Sequence, residues 1–229
     1  MRCAGIGPGD VVVDVGAGTG RLTAELARVA RHVVAIELDP GLASALRGRW
    51  ANVEVVAGDA ASVPLPPEPF RVVANLPFAR TTDLLHKLLD DPETPLVRAD
   101  LIVEWAVALK HGVPWPSSLN GVLWGAFYEV GVVRRLPRSA FQPPPSVDAG
   151  VLVFRRRTEP LVPPELADAY HRFVATAFRR GIRSVLGARA FAALGTRVVA
   201  ARDLDAHQWA TLFLRRASLR DATSTRRRG

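Results

Sequence analysis

The chain has 229 residues, 48% of them hydrophobic, and a formal net charge of +8. This length can hold one full domain and a small second one, with ample apolar material for a core. A single cysteine, Cys3, excludes an intrachain disulfide or a cysteine metal cluster, and the five histidines show no metal-ligand spacing. We find no apolar span of about 18 residues and no cleavable leader, which predicts a cytoplasmic monomer without a membrane partner.

The segment 11–20 predicts a strand that turns sharply into a helix. Three valines and Asp14 precede glycines at Gly16, Gly18 and Gly20. Glycine is the residue that lets bare backbone approach a ligand at such a turn. The last glycine spacing is one residue shorter than in the dinucleotide fingerprint, and Asp14 would repel a phosphate but could hold an ammonium group. The pattern therefore favours S-adenosylmethionine (SAM), which has an amine and no phosphate, over NAD.

Acidic residues follow the next two predicted strands. Residues 33–36 lead into Glu37, roughly 20 residues beyond the glycine loop, where doubly wound folds bind ribose hydroxyls. Residues 53–56 lead to Asp59, whose carboxylate could accept a hydrogen bond from an adenine amino group. Either acid alone could be a solvated loop end or a helix cap. Together they predict a nucleoside site.

The fourth predicted strand, 71–74, runs into Asn75-Leu76-Pro77-Phe78. The lone pair of an exocyclic base amine is delocalised into the ring, so it is a poor nucleophile. The Asn75 amide oxygen and a backbone carbonyl could accept its two N–H bonds and aim the nitrogen at a methyl group. Pro77 would stiffen the loop, and Phe78 could stack on an extruded base, worth about 1–3 kcal/mol. The alternative is an ordinary strand-to-helix turn with a buried Phe.

The remaining pattern predicts an α/β fold with a seven-stranded, mostly parallel sheet. A fifth strand is predicted at 100–104, running into a helix that continues through 110. Segments 127–134 and 150–154 are predicted to form an antiparallel pair. Predicted helices occupy 20–30, 40–50 and 80–90.

Charge divides the chain unevenly. Residues 1–154 carry 14 basic and 16 acidic side chains, net −2, whereas residues 155–229 carry 16 and 6, net +10. We therefore predict a catalytic domain at 1–157 and a small basic helical domain at 158–229. Such a basic appendage indicates a polyanion partner such as RNA, with a membrane surface as the competing interpretation. Its aromatic residues recur at helical spacing and are predicted to be core rather than RNA-stacking residues: Tyr170, Phe173, Phe178, Trp209 and Phe213.

These motifs resemble those of the ribosomal RNA adenine N6-methyltransferases, and more closely the macrolide-resistance (erythromycin-resistance methylase, Erm) branch than the small-subunit dimethyladenosine transferases. The matching segments are DVGAGTG at 14–20, IELDP at 36–40, GDA at 58–60, NLPF at 75–78, IVEWAVALK at 102–110 and FQPPPSVDAGVLVF at 141–154. Each motif is weak alone, but the combination and its order are specific to the family.

The resemblance implies a Rossmann-like SAM-dependent methyltransferase fold with a small C-terminal helical domain. It also implies methylation of the N6 amine of an adenine in 23S rather than 16S ribosomal RNA, with macrolide-type antibiotic resistance. The implied SAM-binding residues are Asp14, Gly16, Gly18, Gly20, Glu37, Leu38, Asp59, Ala60 and Asn75. The implied catalytic residues are Asn75, Leu76, Pro77 and Phe78, and the implied substrate-binding residues are Phe78 and Phe141. No metal is expected.

One departure and two alternatives accompany this interpretation. Family members usually carry a Gln-Asn-Phe motif before the first strand, and residues 1–10 have none. Either the start lies upstream or this member manages without the segment. If the segment is absent, we expect weak SAM binding and impaired turnover, with the fold less affected. A methyltransferase for a small amine or another nucleic acid would not need the basic tail. A non-catalytic RNA-binding module on a decayed methyltransferase fold would not need the intact loop at 75–78.

Overall fold

The computed structural model describes residues 4–115, 117–186, 191–192 and 200–225, so Cys3 and parts of the predicted domain 158–229 lie outside the described residues. The chain forms two units, each built from two segments. The first unit comprises Met1–Ala108 and Gly131–Arg156. The second comprises Leu109–Val130 and Arg157–Gly229.

A seven-stranded sheet has the order β3-β2-β1-β4-β5-β7-β6. Four adjacent pairs, from β3 to β5, are parallel, and β7 runs antiparallel to β5. The predicted α/β class with a mostly parallel sheet is therefore confirmed. The strands are β1 (Val11–Val15), β2 (His32–Glu37), β3 (Val53–Ala57), β4 (Phe70–Asn75), β5 (Leu96–Glu104), β6 (Tyr128–Leu136) and β7 (Ala149–Arg156).

The central strand β1 is buried along its whole length, which explains its nearly continuous apolar sequence. Helix α1 (Arg21–Ala27) contributes Leu26 to a core cluster that also contains Val12 and Val33. Helix α2 (Pro40–Leu46) places Leu46 in a second cluster. Such layers of helix against sheet bury the apolar strands. The other helices here are α3 (Thr81–Leu89) and α4 (Trp105–Gly112), the last of which runs into the second unit.

In the described part of the second unit, three helices pack around aromatic side chains. They are α5 (Leu119–Gly125), α6 (Ala167–Arg180) and α7 (Ala206–Thr225). Phe173 lies 5.7 Å from Trp209 and 5.6 Å from Phe213 between ring centroids, and all three are buried. Edge-to-face and tilted pairs of this kind stabilise a core beyond their apolar area. The predicted core role of these aromatics is confirmed. Within the described residues, no helix combines the length and apolar character needed to cross a membrane.

One feature differs from the sequence-based layout. The predicted division at 157 leaves out residues 109–130, which the structure assigns to the second unit because α5 packs against α6 and α7. This packing is close: a Cβ added at Gly125 would lie 2.7 Å from that of Ala206. The strands β6 and β7, which correspond to the predicted pair 127–134 and 150–154, are hydrogen-bonded neighbours in the sheet, and β7 also pairs antiparallel with β5.

Candidate active site

The glycine loop joins β1 to α1 through backbone conformations that favour glycine. Gly16 and Gly20 have φ values of 74° and 81°, in the left-handed region. The N–H of Gly16 donates to the carbonyl of Ile36 (2.9 Å), which fastens the loop to β2. A Cβ at Gly20 would lie 2.4 Å from the Leu46 side chain, so this position also needs glycine for packing. The loop is thus held tightly at the carboxyl end of the sheet.

Asp14 lies beneath this loop and is buried, with 1% of its surface exposed. Its carboxylate accepts a hydrogen bond from the Thr23 hydroxyl (2.7 Å) on α1. Burial raises the pKa of Asp14 to about 6; the Thr23 hydrogen bond opposes this rise and the charge of Glu37 adds to it. In this structure the carboxylate therefore links β1 to α1. Its predicted contact with a cofactor ammonium group stays a prediction.

Glu37 ends β2 and organises the loop with both carboxylate oxygens. Oε2 accepts the N–H of Gly18 (2.6 Å), and Oε1 accepts that of Asp39 (2.9 Å). Because a carboxylate oxygen can accept two hydrogen bonds, each retains capacity for a ligand hydroxyl. The next residue, Leu38, is apolar but 66% exposed. An acceptor beside an exposed apolar side chain suits a ribose and the base attached to it.

Asp59 follows β3 and is held by a backbone bond and an ion pair. Its Oδ1 accepts the N–H of Ala61 (2.9 Å), and its Oδ2 lies 3.1 Å from a guanidinium nitrogen of Arg80. The Ala61 hydrogen bond and then the Arg80 contacts hold the pKa of Asp59 below its usual range. Lys87 donates to the carbonyls of Ala61 and Val63, which fixes the same turn. Asp59 is therefore an ionised acceptor in a fixed turn.

Residues 75–78 begin where β4 ends, and we call them the target-base loop after the role predicted for them from the sequence. Asn75 and Pro77 are exposed and Phe78 is half-buried. Leu76 instead has its side chain in the core and donates its N–H to Ile102 on β5 (3.0 Å), so any contact with a base is through its backbone. This anchoring bond holds the loop against the sheet while Asn75 remains accessible.

A cavity of about 280 Å³ lies among these strand ends. It collects five of the predicted cofactor residues: Gly16, Glu37, Leu38, Asp59 and Ala60. Of the predicted catalytic residues, Pro77 lines it. Among the described residues, its walls do not include Asp14, Gly18, Gly20, Asn75, Leu76, Phe78 or Phe141.

Arg80 and Leu84 also line the cavity and were not among the predicted site residues. Their position directly after the target-base loop was the available signal, because the chain leaving that loop must pass the cavity. Arg80 ends a single 3₁₀ turn (Phe78–Arg80), and its N–H donates to the Pro77 carbonyl (2.9 Å). The cavity wall and the target-base loop are thus consecutive pieces of chain.

Phe141 lies half-buried just beyond a short 3₁₀ turn (Arg138–Ala140) in the segment between β6 and β7. Asp148 belongs to the same sequence motif as Phe141. It accepts hydrogen bonds from the Arg135 side chain (2.7 Å) and the Arg138 N–H (2.9 Å). These bonds, with Arg138 first, hold the pKa of Asp148 below its usual range. Asp148 therefore closes this segment into a loop, while the role of Phe141 at the base stays a prediction.

A second cavity, of about 220 Å³, lies within the second unit and is lined by His111, Arg157 and His207 among others. The Arg157 guanidinium donates to the Gly125 carbonyl (3.0 Å) and lies 3.3 Å from Nε2 of His207. Burial lowers the pKa of Arg157, and the charge of Glu129 opposes this. The predicted site residues do not line this cavity. Across the described part of the chain, no three His, Cys, Asp or Glu side chains are grouped to hold a metal ion.

The strand order, the glycine loop and the acids at successive strand ends define a Rossmann-like methyltransferase. A profile of the ribosomal RNA adenine dimethylase family matches residues 2–194. The chain belongs to this family. Its motif resemblance to the Erm branch is supported further by two curated relatives and one solved structure.

An rRNA adenine N-6-methyltransferase of Corynebacterium diphtheriae is 36% identical over 180 residues, covering 76% of this chain and 70% of that relative. The mycinamicin-resistance protein MyrB of Micromonospora griseorubida is 35% identical over 220 residues, covering 88% of this chain and 68% of that relative. The crystal structure of the 23S rRNA methyltransferase ErmE superposes with a TM-score of 0.82 at 30% identity and 93% coverage of both chains. Together these findings confirm the resemblance read from the motifs.

Proposed function

We propose that this protein transfers a methyl group from SAM to the N6 amine of an adenine in 23S ribosomal RNA, and thereby confers macrolide-type resistance. The observation that carries this proposal is that the target-base loop adjoins the cavity predicted to hold the cofactor. Pro77 of the target-base loop lines the same cavity as Glu37 and Asp59, and a Cβ at Gly16 would lie 3.6 Å from its ring. A base held at this loop is adjacent to a nucleoside held in the cavity.

The residues present fit SAM by their chemistry. Glu37 offers acceptors for ribose hydroxyls, Asp59 offers one for the adenine amino group, and Leu38 offers an exposed apolar surface for the adenine ring. Gly16 leaves open backbone beside the cavity. SAM supplies a methyl group that is already electrophilic because it is bonded to a sulfonium. The protein consequently needs no group to activate the donor.

The chain's own contribution is to position the acceptor amine. Asn75 presents its amide at the accessible end of β4, where its oxygen can accept an N–H of the target amine. The ring of Phe78 offers a face for stacking an extruded base. The Pro77 ring restricts the loop between them. These groups lower the barrier through orientation and by favouring the pyramidal, nucleophilic nitrogen.

The second unit is proposed to bind the RNA backbone. Its two segments, 109–130 and 157–229, carry 15 basic and 7 acidic side chains, net +8, and Arg172, Arg179 and Arg180 are exposed on α6. Arg172 and Arg179 lie about two helical turns apart and hence on one face. Arginines on one helix face can contact successive phosphates, which gives affinity and register without reading the sequence.

The test is methyl transfer to defined RNA. The purified chain is incubated with tritiated SAM and with protein-free 23S or 16S ribosomal RNA, and the modified nucleotide is mapped. Label on an adenine of 23S RNA supports the proposal. Label confined to 16S RNA would assign the small-subunit activity instead, and SAM binding without label on either RNA would favour a non-catalytic RNA-binding module.

A cellular arm tests the resistance. A macrolide-sensitive bacterium expressing the chain should grow at higher macrolide concentrations than one expressing the Asn75→Ala variant at equal protein level. Equal susceptibility of the two strains, with 23S RNA methylated only in the first, would refute the resistance while leaving the enzymatic activity intact.

A further inference from the structure

Arg80 connects the acid of the cofactor cavity to the chain that leaves the target-base loop. One guanidinium nitrogen lies 3.1 Å and 3.4 Å from the two oxygens of Asp59, and Nε lies 3.2 Å from Asp83. Arg80 and Asp59 both line the cavity, whereas Asp83 is an exposed residue of the first turn of α3. The guanidinium therefore joins one carboxylate inside the site to one outside it.

This ion pair completes the fixation of Asp59. The backbone bond from Ala61 uses Oδ1, and the Arg80 nitrogen reaches both oxygens from the α3 side. A carboxylate held from two directions cannot turn freely about its last torsion. Because each oxygen can accept two hydrogen bonds, Oδ2 keeps room for one donor from a ligand.

We propose that Arg80 is a positioning residue that orients Asp59 to accept the 6-amino group of the cofactor's adenine. This inference rests on the proposed function, since it requires a SAM nucleoside in the cavity. Arg80 itself acts through Asp59. The pair makes the cavity selective for a 6-amino purine, because an oriented carboxylate attracts an N–H donor and repels a carbonyl oxygen at the same place.

The contacts of Arg80 with both Asp59 and Asp83 also explain why arginine suits this position. A guanidinium is planar, is always charged and offers several N–H donors, so it can hold two carboxylates at fixed angles. Lysine would keep the charge without the fixed angles. Glutamine would keep one NH2 group as a donor, without the charge.

The experiment compares two cofactor products that differ at one atom. Binding of S-adenosylhomocysteine and of S-inosylhomocysteine, its 6-oxo analogue, is measured by calorimetry on the full chain. The wild-type protein should prefer the adenosyl compound by at least about tenfold. Arg80→Gln should weaken adenosyl binding about fivefold and reduce the preference to about twofold. Arg80→Lys should give a preference for the adenosyl compound between those of the wild type and Arg80→Gln. If Arg80→Gln folds poorly, this variant provides the test instead.

Asp83→Asn is the matched control, because it removes the other carboxylate partner of Arg80 and leaves Asp59 paired. Its preference ratio should equal that of the wild type. A second check is the double variant Asp59→Asn, Arg80→Gln, which should be no less selective than Asp59→Asn alone.

The outcomes separate this inference from the proposed function. If Arg80→Gln weakens both compounds equally and keeps the wild-type ratio, Arg80 is merely structural and the inference is overturned while SAM binding stands. If the wild-type protein binds neither compound, the cofactor assignment itself fails. If it binds both equally, Asp59 does not select a 6-amino group, and the inference is overturned while the cofactor assignment stands. A reduced ratio in Arg80→Gln with an unchanged ratio in Asp83→Asn supports the positioning role.

Discussion

The cofactor cavity and the target-base loop lie at neighbouring strand ends, but their polar groups are in different states. Glu37 and Asp59 already accept backbone N–H bonds, and Asp59 is also paired with Arg80. Asn75 lies exposed at the end of β4, the strand beside β1. The cofactor side is therefore preorganised by hydrogen bonds within the protein, whereas the base side presents the exposed amide of Asn75. We expect substitutions in the cofactor cavity to change the affinity for SAM, and substitutions in the target-base loop to change the rate of methyl transfer.

Loss of the Asn75 amide should give the largest effect. Asn75→Ala is expected to lower kcat on the order of 100- to 1000-fold, because it removes a preorganised polar group at the reacting amine. The Kd for SAM should change less than about threefold. Single-turnover methylation and cofactor titration measure the two quantities. The matched control is Asn52→Ala, which removes a structural amide bonded to the Ala27 and Ala30 carbonyls; it should lower Tm but leave kcat unchanged.

If Asn75→Ala instead weakened cofactor binding as strongly as turnover, the loop would be part of the cofactor site. The contrast between the two subsites would then be lost.

The buried charge beneath the glycine loop should make stability depend on pH. The pKa of Asp14 is raised from 3.8 to about 6, so the folded state holds its proton more tightly than the unfolded state. Wild-type stability should therefore fall relative to Asp14→Asn as pH rises from about 4 to about 6, by about 2–3 kcal/mol in total. Urea denaturation across this range measures the difference.

Asn at position 14 can still accept the Thr23 hydroxyl, which makes it the appropriate reference. A stability difference that stayed constant from pH 4 to pH 7 would show that Asp14 does not titrate in this range.

The ribose acceptor should give a smaller change. Glu37→Gln is expected to raise the Kd for S-adenosylhomocysteine about 10- to 30-fold, because it replaces a charged acceptor with a neutral one. At saturating SAM, kcat should change little. Glu54→Gln on β3 is the control, since Glu54 is exposed and lies 3.5 Å from His32. If Glu37→Gln lowered kcat and left the Kd unaltered, Glu37 would act in turnover and not in cofactor binding.

The smallest expected effect lies on α6. Exchanging Arg172 and Arg179 together for Gln should weaken RNA binding about threefold and reduce the slope of its salt dependence by about one to two. Arg28→Gln changes an exposed arginine of the first unit and should leave the slope unaltered. Fluorescence anisotropy with labelled RNA at several salt concentrations gives both numbers. An unchanged slope in the double variant would exclude this face as a phosphate contact.

The sheet and the cofactor end of the site were predictable because they depend on local pattern. Continuous apolar runs followed by glycines or acids place Gly16, Glu37 and Asp59 at strand ends, and parallel strands bring those ends to one edge. The spacing does not reveal the partners of these side chains. Asp14 bonds Thr23 and Asp59 bonds Arg80 only because α1 and α3 pack where they do. The glycine loop was thus easier to predict than the electrostatics around it.

Helix α5 was not predicted from the sequence, because its own residues are poor helix formers. Gly121 and Gly125 each cost about 1 kcal/mol relative to alanine in a helix. The structure shows why they are there: a Cβ at Gly121 would lie 2.9 Å from Ser118 Oγ, and one at Gly125 would lie 2.7 Å from Ala206. Packing with α7 outweighs local propensity here. The grouping of residues 109–130 with the second unit was missed for the same reason.

The two-segment origin of the second unit has a consequence for building hybrid enzymes. A chimera that takes its C-terminal part from a relative by joining at 157 would keep Leu109–Val130 from one parent and acquire α6 and α7 from another. The glycine surface of α5 would then meet helices that evolved with a different neighbour. An exchange of target preference between relatives should therefore transplant both segments together, as a pair of inserts rather than a single cassette.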